Sequence, residues 1–109
     1  MKRFIFILAL ILSNQAFSND NILRTQNAYS ICTKPDMDWI NFCNGLIQGY
    51  SDYIILSNQA CIPVGVSRTQ LVTVFTGKLM KMTKAFQSDL PAIEGAKQVF
   101  KLAYPCNSA

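Results

Sequence analysis

The chain has 109 residues, of which 50% are hydrophobic, and its formal net charge is +4 at pH 7. This length is typical of a single domain. The sequence contains no histidine, which excludes a serine–histidine–aspartate triad, a cysteine–histidine nucleophile and a metal site held by histidine.

The first residues have the pattern of a secretory signal peptide. Lys2 and Arg3 precede an unbroken apolar run, Phe4–Leu12, and Ser18 places a small residue at a suitable cleavage position. The run has nine residues, fewer than the roughly 20 that a membrane-spanning helix needs. We therefore predict a signal peptide over residues 1–18, export of the protein, and no membrane contact after cleavage.

Removal of the signal peptide changes the charge balance of the chain. Without Lys2 and Arg3, eight basic residues remain against six acidic ones, so the net charge falls to +2. The remaining lysines lack interleaved aromatic residues, and no nucleic-acid partner is expected. Residues 19–109 are long enough for one domain, but at this size burial alone gives modest stability.

All four cysteines lie in the predicted mature domain. An even number of cysteines in an exported protein predicts two disulfides. A zinc site is the alternative, but the chain has neither a histidine nor a C-x-x-C pair. We therefore expect no metal ion, no other cofactor, and two bridges among Cys32, Cys43, Cys61 and Cys106.

Two helices are predicted in the first half of the domain. Residues 22–31 carry apolar side chains on one helical face, and Pro35 in the sequence TKPD ends this helix. Asp36 or Asp38 can cap the next helix. The strongest helical period of the chain follows, with three- and four-residue steps through Trp39, Phe42, Cys43, Leu46, Gly49, Tyr50, Tyr53 and Ile54.

Two further helices are predicted in the second half. Ser67 and Gln70 form an S-x-x-Q capping box, so the third helix begins at Arg68. The sequence SDLP, residues 88–91, marks a break where Ser88 or Asp89 can cap the fourth helix. The side chains expected to face inward are Leu71, Val74, Phe75, Leu79 and Met82, followed by Ala92, Ile93, Ala96, Val99, Phe100 and Ala103.

The order of the helices predicts which cysteines pair. Cys32 ends the first helix and Cys43 lies early in the second, so both are near one end of a bundle. Cys61 precedes the third helix and Cys106 follows the fourth, so both are near the opposite end if these helices run antiparallel. We therefore predict an all-α fold, a small four-helix bundle stapled by Cys32–Cys43 and Cys61–Cys106 disulfides.

The residue types and their spacing do not indicate catalysis. The six carboxylates are not spaced in a way that would bring two of them together in one cleft, as a glycosidase requires. An S-x-x-K motif, which would indicate a serine–lysine mechanism, is also missing from the sequence. We therefore predict that the protein is not an enzyme.

Gly45 and Gly49 are unusual inside a strong helix, because each costs about 1 kcal/mol relative to alanine. They lie four residues apart and share one face of the helix. Close packing of a neighbouring helix of the same chain is the preferred interpretation, and a subunit interface on the same smooth surface is the alternative.

Three sequence motifs together resemble one known family. They are FCNGLIQGYSD at residues 42–52, CIPVGVSRTQLV at residues 61–72 and AYPC at residues 103–106. In their order and spacing these motifs are similar to those of the Rap/Tai family of immunity proteins associated with type VI secretion. The resemblance covers about residues 32–106, which is most of the predicted domain.

The resemblance implies a Rap/Tai-like immunity domain over residues 19–109: a small, all-helical, disulfide-bonded protein of the periplasm that is often a homodimer. Characterised members of the family bind and block a peptidoglycan amidase delivered by neighbouring cells. They occlude the substrate groove of the enzyme with a loop and a helix surface. The resemblance therefore implies a cognate peptidoglycan amidase effector as the partner.

The chain departs from the family between the third and fourth helices. The segment MKMTKAFQSDLPA, residues 80–92, lacks the histidine–proline element common in relatives, and Gly95 interrupts the last helix. We predict that this loop is an inhibitory element, and a solvated turn between helices is the alternative. The candidate partner contacts are Lys81, Lys84, Phe86, Gln87 and Asp89.

A periplasmic acid-stress chaperone is the alternative function, because small helical disulfide-bonded chaperones share this size and architecture. Such a protein must expose a binding surface on mild acidification. This chain has no histidine and only six carboxylates to drive that change. The immunity function is therefore the preferred prediction.

Overall fold

The computed structural model describes residues 21–107, and the predicted signal peptide, residues 1–18, lies outside this range. Its architecture is all-α, as the helical periods predicted. Four longer helices pack together, and a fifth, shorter helix lies between the third and the last of them. The helices are α1 (Thr25–Cys32), α2 (Met37–Leu56), α3 (Arg68–Leu79), α4 (Lys84–Asp89) and α5 (Ala92–Ala103).

Helix α1 lies at the centre of the fold, since it contacts each of the other four helices. It begins at Thr25, three residues later than predicted, because the backbone before it pairs with the start of α5. The Thr25 amide donates to Leu90 O at 2.9 Å, and the Ala92 amide donates to Leu23 O at 2.7 Å. This pairing holds the backbone of Arg24 extended and delays the helix.

Two aromatic residues of α2 do not face the core, whereas Tyr50 packs against it. Phe42 and Tyr53 remain about half exposed. The cause is the disulfide from Cys43 to Cys32, which fixes the Cys43 side of α2 against α1. The four residues that α2 buries are Cys43, Ile47, Ser51 and Ile54.

The two glycines of α2 do not serve packing within the chain. A Cβ atom at Gly45 or Gly49 would meet no atom within 4 Å. The preferred interpretation of these glycines, close approach by a neighbouring helix of the same chain, is therefore wrong. Both residues lie on the exposed side of α2, where they leave open space beside the exposed aromatic rings.

The capping box predicted at the start of α3 is present. Ser67 Oγ accepts from the Gln70 amide at 3.1 Å, and Gln70 Oε1 accepts from the Ser67 amide at 2.8 Å. Because both bonds form within four consecutive residues, the sequence was sufficient to locate this helix start. Leu71, Phe75 and Leu79 then face the core, as their spacing predicted.

The connection between α3 and α5 contains the short helix α4, which the sequence analysis treated as a loop. Thr83 caps this helix, because its Oγ1 accepts from the Phe86 amide at 3.2 Å. Ser88 and Asp89, which were expected to cap the last helix, lie at the end of α4 instead. The N-cap of α5 is Pro91, which provides no side-chain hydrogen bond.

Two disulfides cross-link the fold. Cys32 joins Cys43 with Cα atoms 5.1 Å apart, and Cys61 joins Cys106 with Cα atoms 4.9 Å apart. These are the pairs expected from the order of the helices. The Cys61 amide also donates to Tyr104 O at 2.9 Å, so the loop before α3 is held to the segment after α5 by the backbone as well.

The core lies where α1, α3 and α5 meet the inner side of α2. Phe75 of α3 and Phe100 of α5 are completely buried, and their ring centroids are 6.4 Å apart, a distance typical of aromatic pairs. The other large side chains that are fully buried include Ile47, Ile54, Leu79 and Val99. Among residues 21–107, no helix has both the length and the apolar character needed to cross a membrane.

Candidate partner-binding site

The five predicted partner contacts all lie in residues 80–91, here named the α3–α5 connection. Gln87 is buried, with only 5% of its surface exposed, whereas the other four contacts are exposed. The connection therefore presents one aromatic ring, two ammonium groups and one carboxylate to solvent. The four predicted contacts that are exposed are Lys81, Lys84, Phe86 and Asp89.

Gln87 fixes the conformation of the α3–α5 connection from the inside. Its Nε2 donates to Leu79 O at 2.6 Å and to Met82 O at 3.3 Å. Leu79 is the last residue of α3, so this side chain satisfies a carbonyl that has no partner within the helix. Gln87 therefore positions the exposed residues around it and does not itself face solvent.

The base of the α3–α5 connection is tied to the chain around the start of α1. Thr25 Oγ1 donates to Leu90 O at 3.0 Å and to Pro91 O at 3.1 Å. Arg24 Nη1 donates to Asp89 O at 3.4 Å. These contacts cannot be predicted from the sequence, because they join residues 65 and 66 positions apart and no local motif marks them.

Met80, which the sequence analysis did not single out, separates two recesses in the surface. Its side chain is 68% exposed and lines both of them. The first recess has a volume of about 390 Å³ and lies between α1 and the α3–α5 connection. Its walls include Gln26, Tyr29, Ser30, Met82 and Lys84.

The second recess lies between α3 and the end of α5 and has a volume of about 580 Å³. Its apolar side consists of Val74, Leu102 and Tyr104. Leu102 is 69% exposed. The two charged residues in the walls are Lys78 and Lys81.

Three lysines give this end of the molecule its positive charge. Lys78 and Lys81 line the second recess, and Lys84 lines the first. None of the three forms a salt bridge with another residue of the described range. The ion pair observed in that range joins Lys97 to Glu94 at 2.8 Å. Unpaired ammonium groups around a concave surface favour a partner with acidic groups.

The arrangement has the chemistry of a binding surface. Over residues 21–107, no three histidine, cysteine or acidic side chains lie close enough together to hold a metal ion. The four cysteines in the same range are all oxidised. The α3–α5 connection instead offers a fixed backbone and an exposed aromatic ring, which are features of protein–protein interfaces. Lysines lie beside its two recesses.

A known family covers most of the fold and the whole of this site. The family model of the Rap1a immunity proteins matches residues 24–106, which include all five helices, both disulfides and the α3–α5 connection. A search of curated proteins and a search of solved structures gave no significant match. The family match confirms the resemblance found in the sequence motifs and the prediction that the protein is not an enzyme. The chain belongs to the Rap1a immunity proteins, a non-catalytic family whose members inhibit a cognate type VI secretion effector.

Proposed function

We propose that the protein resides in the periplasm and inhibits a peptidoglycan amidase effector of type VI secretion. In this proposal the α3–α5 connection occludes the active-site groove of the enzyme. The family match over residues 24–106 carries the proposal, because it includes the connection and implies a cognate effector. The class of effector, the occlusion and the compartment are the proposed steps beyond family membership.

The rigidity of the α3–α5 connection supports a role in inhibition. Gln87 holds it to the end of α3, and Thr25 holds it to α1. A segment that is fixed before binding loses less conformational entropy when it enters a groove. An inhibitor that must fill an active site stoichiometrically benefits from such preorganisation.

The exposed side chains of the connection support a docking role as well. Phe86 is 41% exposed and Met80 is 68% exposed, and both can enter apolar sites of a partner. Lys81 and Lys84 lie between them in the sequence and favour association with an acidic surface. In this proposal Phe86 and Met80 provide most of the binding energy. The lysines orient the two proteins and increase the association rate, as charged residues usually do at interfaces.

The first recess can in addition bind a side chain of the effector. Met80 and Met82 form its flexible apolar part, because methionine adapts its shape to different contacts. Tyr29, Ser30 and Lys84 supply polar groups in the same walls. A partner side chain with an apolar stem and an acidic or hydroxyl end fits this composition.

Two features support the periplasm as the site of action. The chain carries two disulfides, and such bonds persist mainly in oxidising compartments. The sequence pattern over residues 1–18 is that of a signal peptide. The proposal also keeps the homodimer implied by the family resemblance.

Coexpression tests this function directly. Peptidoglycan amidases of the type VI class encoded near this chain would be exported to the periplasm of a host cell, and growth would be measured with and without this protein. We expect rescue by the form that carries residues 1–18 and none by a form without them. Rescue of a toxin confined to the periplasm by the unexported form would contradict the proposed compartment, and failure to rescue any amidase would contradict the effector class.

A binding experiment then tests the surface. We expect the double substitution Lys84→Ala/Phe86→Ala to weaken binding to the verified effector by at least about tenfold. The matched control is Ile55→Ala/Lys101→Ala, which also removes one exposed apolar residue and one exposed lysine but lies outside the connection. Equal affinity of the two double variants for the effector would show that the α3–α5 connection is not part of the interface.

A further inference from the structure

The methionines carry the oxidisable sulfur atoms of the predicted mature domain. All four cysteines form disulfides within the described residues, so they present no thiol to an oxidant. The chain has four methionines, and Met1 lies in the predicted signal peptide. The thioethers of Met37, Met80 and Met82 are therefore the groups of residues 21–107 that an oxidant can convert to sulfoxides.

The three methionines differ in exposure and in position. Met80 and Met37 are each 68% exposed, whereas Met82 is half-buried and packs against the core. Met37 is the first residue of α2 and lines neither of the two recesses. Met80 directly follows α3 and lines both. An oxidant can therefore reach Met80 as easily as Met37, and of these two only Met80 lies on the proposed binding surface.

The backbone at Met80 is held without help from its side chain. The Met80 amide donates to Thr76 O at 3.0 Å. Leu79 O accepts from the Met82 amide at 2.9 Å and from Gln87 Nε2 at 2.6 Å. None of these hydrogen bonds involves the Met80 sulfur. A chemical change at this sulfur therefore alters the surface of the α3–α5 connection and leaves the fold in place.

Oxidation by hydrogen peroxide converts the thioether into a polar group. A lone pair of the Met80 sulfur attacks one oxygen of the peroxide, and the O–O bond breaks. The hydroxide that leaves takes the proton of the new S–OH group and becomes water. The sulfur has then lost two electrons to the peroxide and gained one oxygen as a sulfoxide. A flexible apolar side chain thus becomes a polar one, which disrupts methionine contacts at interfaces.

The lysines around Met80 strengthen this effect. Lys78 and Lys81 line the second recess together with Met80, and Lys84 lines the first recess with it. These ammonium groups form no salt bridge within the described range, so they remain available as donors to a sulfoxide oxygen. An apolar site of the effector that covered the oxidised side chain would have to displace water or an ammonium group from that oxygen.

We propose that Met80 is a modification site: hydrogen peroxide oxidises it to the sulfoxide, and the modified protein binds its effector less tightly. The inference rests on the proposed function, because it concerns the surface assigned there to effector binding. Methionine sulfoxide reductases restore the thioether, so the change is reversible. The modification makes the strength of inhibition depend on the oxidant concentration around the protein.

Peptide mapping tests the oxidation step and needs no effector. The exported protein with both disulfides intact is treated with hydrogen peroxide, the peroxide is removed with catalase, and mass spectrometry follows the uptake of oxygen at each methionine. We expect Met80 and Met37 to react at similar rates and Met82 at least about fivefold more slowly. Circular dichroism and thermal melting should stay unchanged as long as Met82 is not oxidised.

Binding to the verified amidase effector tests the consequence. Only the immunity protein is oxidised, and its dissociation constant is measured before and after peroxide. For the wild type we expect a rise of at least about tenfold and recovery after treatment with methionine sulfoxide reductases for both sulfoxide epimers. Met80→Leu should give the same constant before and after peroxide, because leucine has no sulfur. Met37→Leu is the matched control, which lacks the equally exposed sulfur of α2 and should lose affinity on oxidation like the wild type.

Three results would overturn the inference: Met80 that resists peroxide while Met37 reacts, oxidised wild-type protein that binds the effector as before, or a Met80→Leu variant that loses as much affinity on oxidation as the wild type. If no amidase binds the untreated protein, the proposed function fails and the inference fails with it. If the untreated and the oxidised protein bind an amidase equally well, the inference fails and the proposed function stands.

Discussion

Gly95 of α5 packs directly on Thr25 of α1. A Cβ atom at position 95 would lie 2.6 Å from Thr25 Cγ2. Thr25 is completely buried. The Thr25 side chain cannot move aside freely, because its Oγ1 donates to Leu90 O and Pro91 O. Glycine at position 95 therefore allows α1 and α5 to approach each other and keeps the base of the α3–α5 connection in place.

Gly95→Ala should destabilise the protein despite its position inside a helix. Alanine gains about 1 kcal/mol in helix propensity, but overpacking costs about 1–3 kcal/mol, and displacement of Thr25 weakens buried hydrogen bonds by about 1 kcal/mol more. We expect a net loss of about 1–3 kcal/mol in the free energy of unfolding, measured by urea denaturation of the oxidised protein. An unchanged or higher stability would show that Thr25 yields without cost.

Gly77→Ala is the opposite case and should stabilise the protein. Gly77 lies inside α3, and a Cβ atom there would meet nothing within 4 Å. Alanine then gains helix propensity without a clash, so we expect an increase of about 0.5–1 kcal/mol in the free energy of unfolding. The same urea titration measures it, and a loss of stability would mean that α3 packs more closely than the structure shows.

The capping box of α3 and Gly95 of α5 show which features can be predicted from the sequence and which cannot. The start of α3 was predicted correctly because Ser67 and Gln70 bond to each other within one turn. Gly95 was read as an interruption of the last helix, because its reason is Thr25, 70 residues earlier in the chain. Local hydrogen bonding is visible in a sequence, whereas close contact between distant elements is not.

The same limit applies to the face of α2 and to the candidate site. Trp39 and Phe42 share a helical period with Cys43, and only the bridge to Cys32 decides which side faces inward. Gln87 was predicted as a partner contact, since a polar residue in a loop is usually exposed. Its burial became visible only once the carbonyl at the end of α3 was placed beside it.

Gln87→Ala should loosen the α3–α5 connection. The substitution removes the side-chain donor of the Leu79 and Met82 carbonyls. Leu79 O keeps the Met82 amide as a donor at 2.9 Å, so each lost bond costs about 0.5–1.5 kcal/mol. We expect a loss of this size in the free energy of unfolding, together with faster amide exchange in residues 80–91. The control is Gln48→Ala, whose Nε2 donates to Asp52 Oδ1 at 2.7 Å on the surface. Equal losses from the two substitutions would contradict a special role for Gln87.

The two disulfides should respond differently to mild reduction of the native protein. Cys61 and Cys106 are both exposed, whereas Cys43 is buried with 2% exposure, so the Cys61–Cys106 bridge should be reduced first. Opening this 45-residue span should lower the free energy of unfolding by up to about 4 kcal/mol on the loop-entropy model. Alkylation and peptide mapping after brief treatment with a thiol identify the reduced pair. Prior reduction of Cys32–Cys43 would show that the core opens before the surface bridge.

Tyr50 should make the fold sensitive to high pH. Burial of its side chain on α2 disfavours the phenolate and raises the pKa of Tyr50 above its usual range. Above about pH 10 the unfolded chain loses this proton more readily than the native protein does, so stability falls as the pH rises. The hydrogen bond to Glu94 raises the pKa of Lys97, which acts in the same direction.

Tyr50→Phe separates the tyrosine contribution from the lysine contribution. The variant lacks the phenol but keeps Lys97, so its free energy of unfolding should fall less than that of the wild type between pH 9 and about pH 11. Below pH 9 the two curves should run parallel, because the phenol is protonated in both the folded and the unfolded state. The measurement is urea denaturation across this pH range at low protein concentration, with the exposed Tyr53→Phe as control. Parallel curves over the whole range would mean that Tyr50 titrates in the native protein as it does in the unfolded chain.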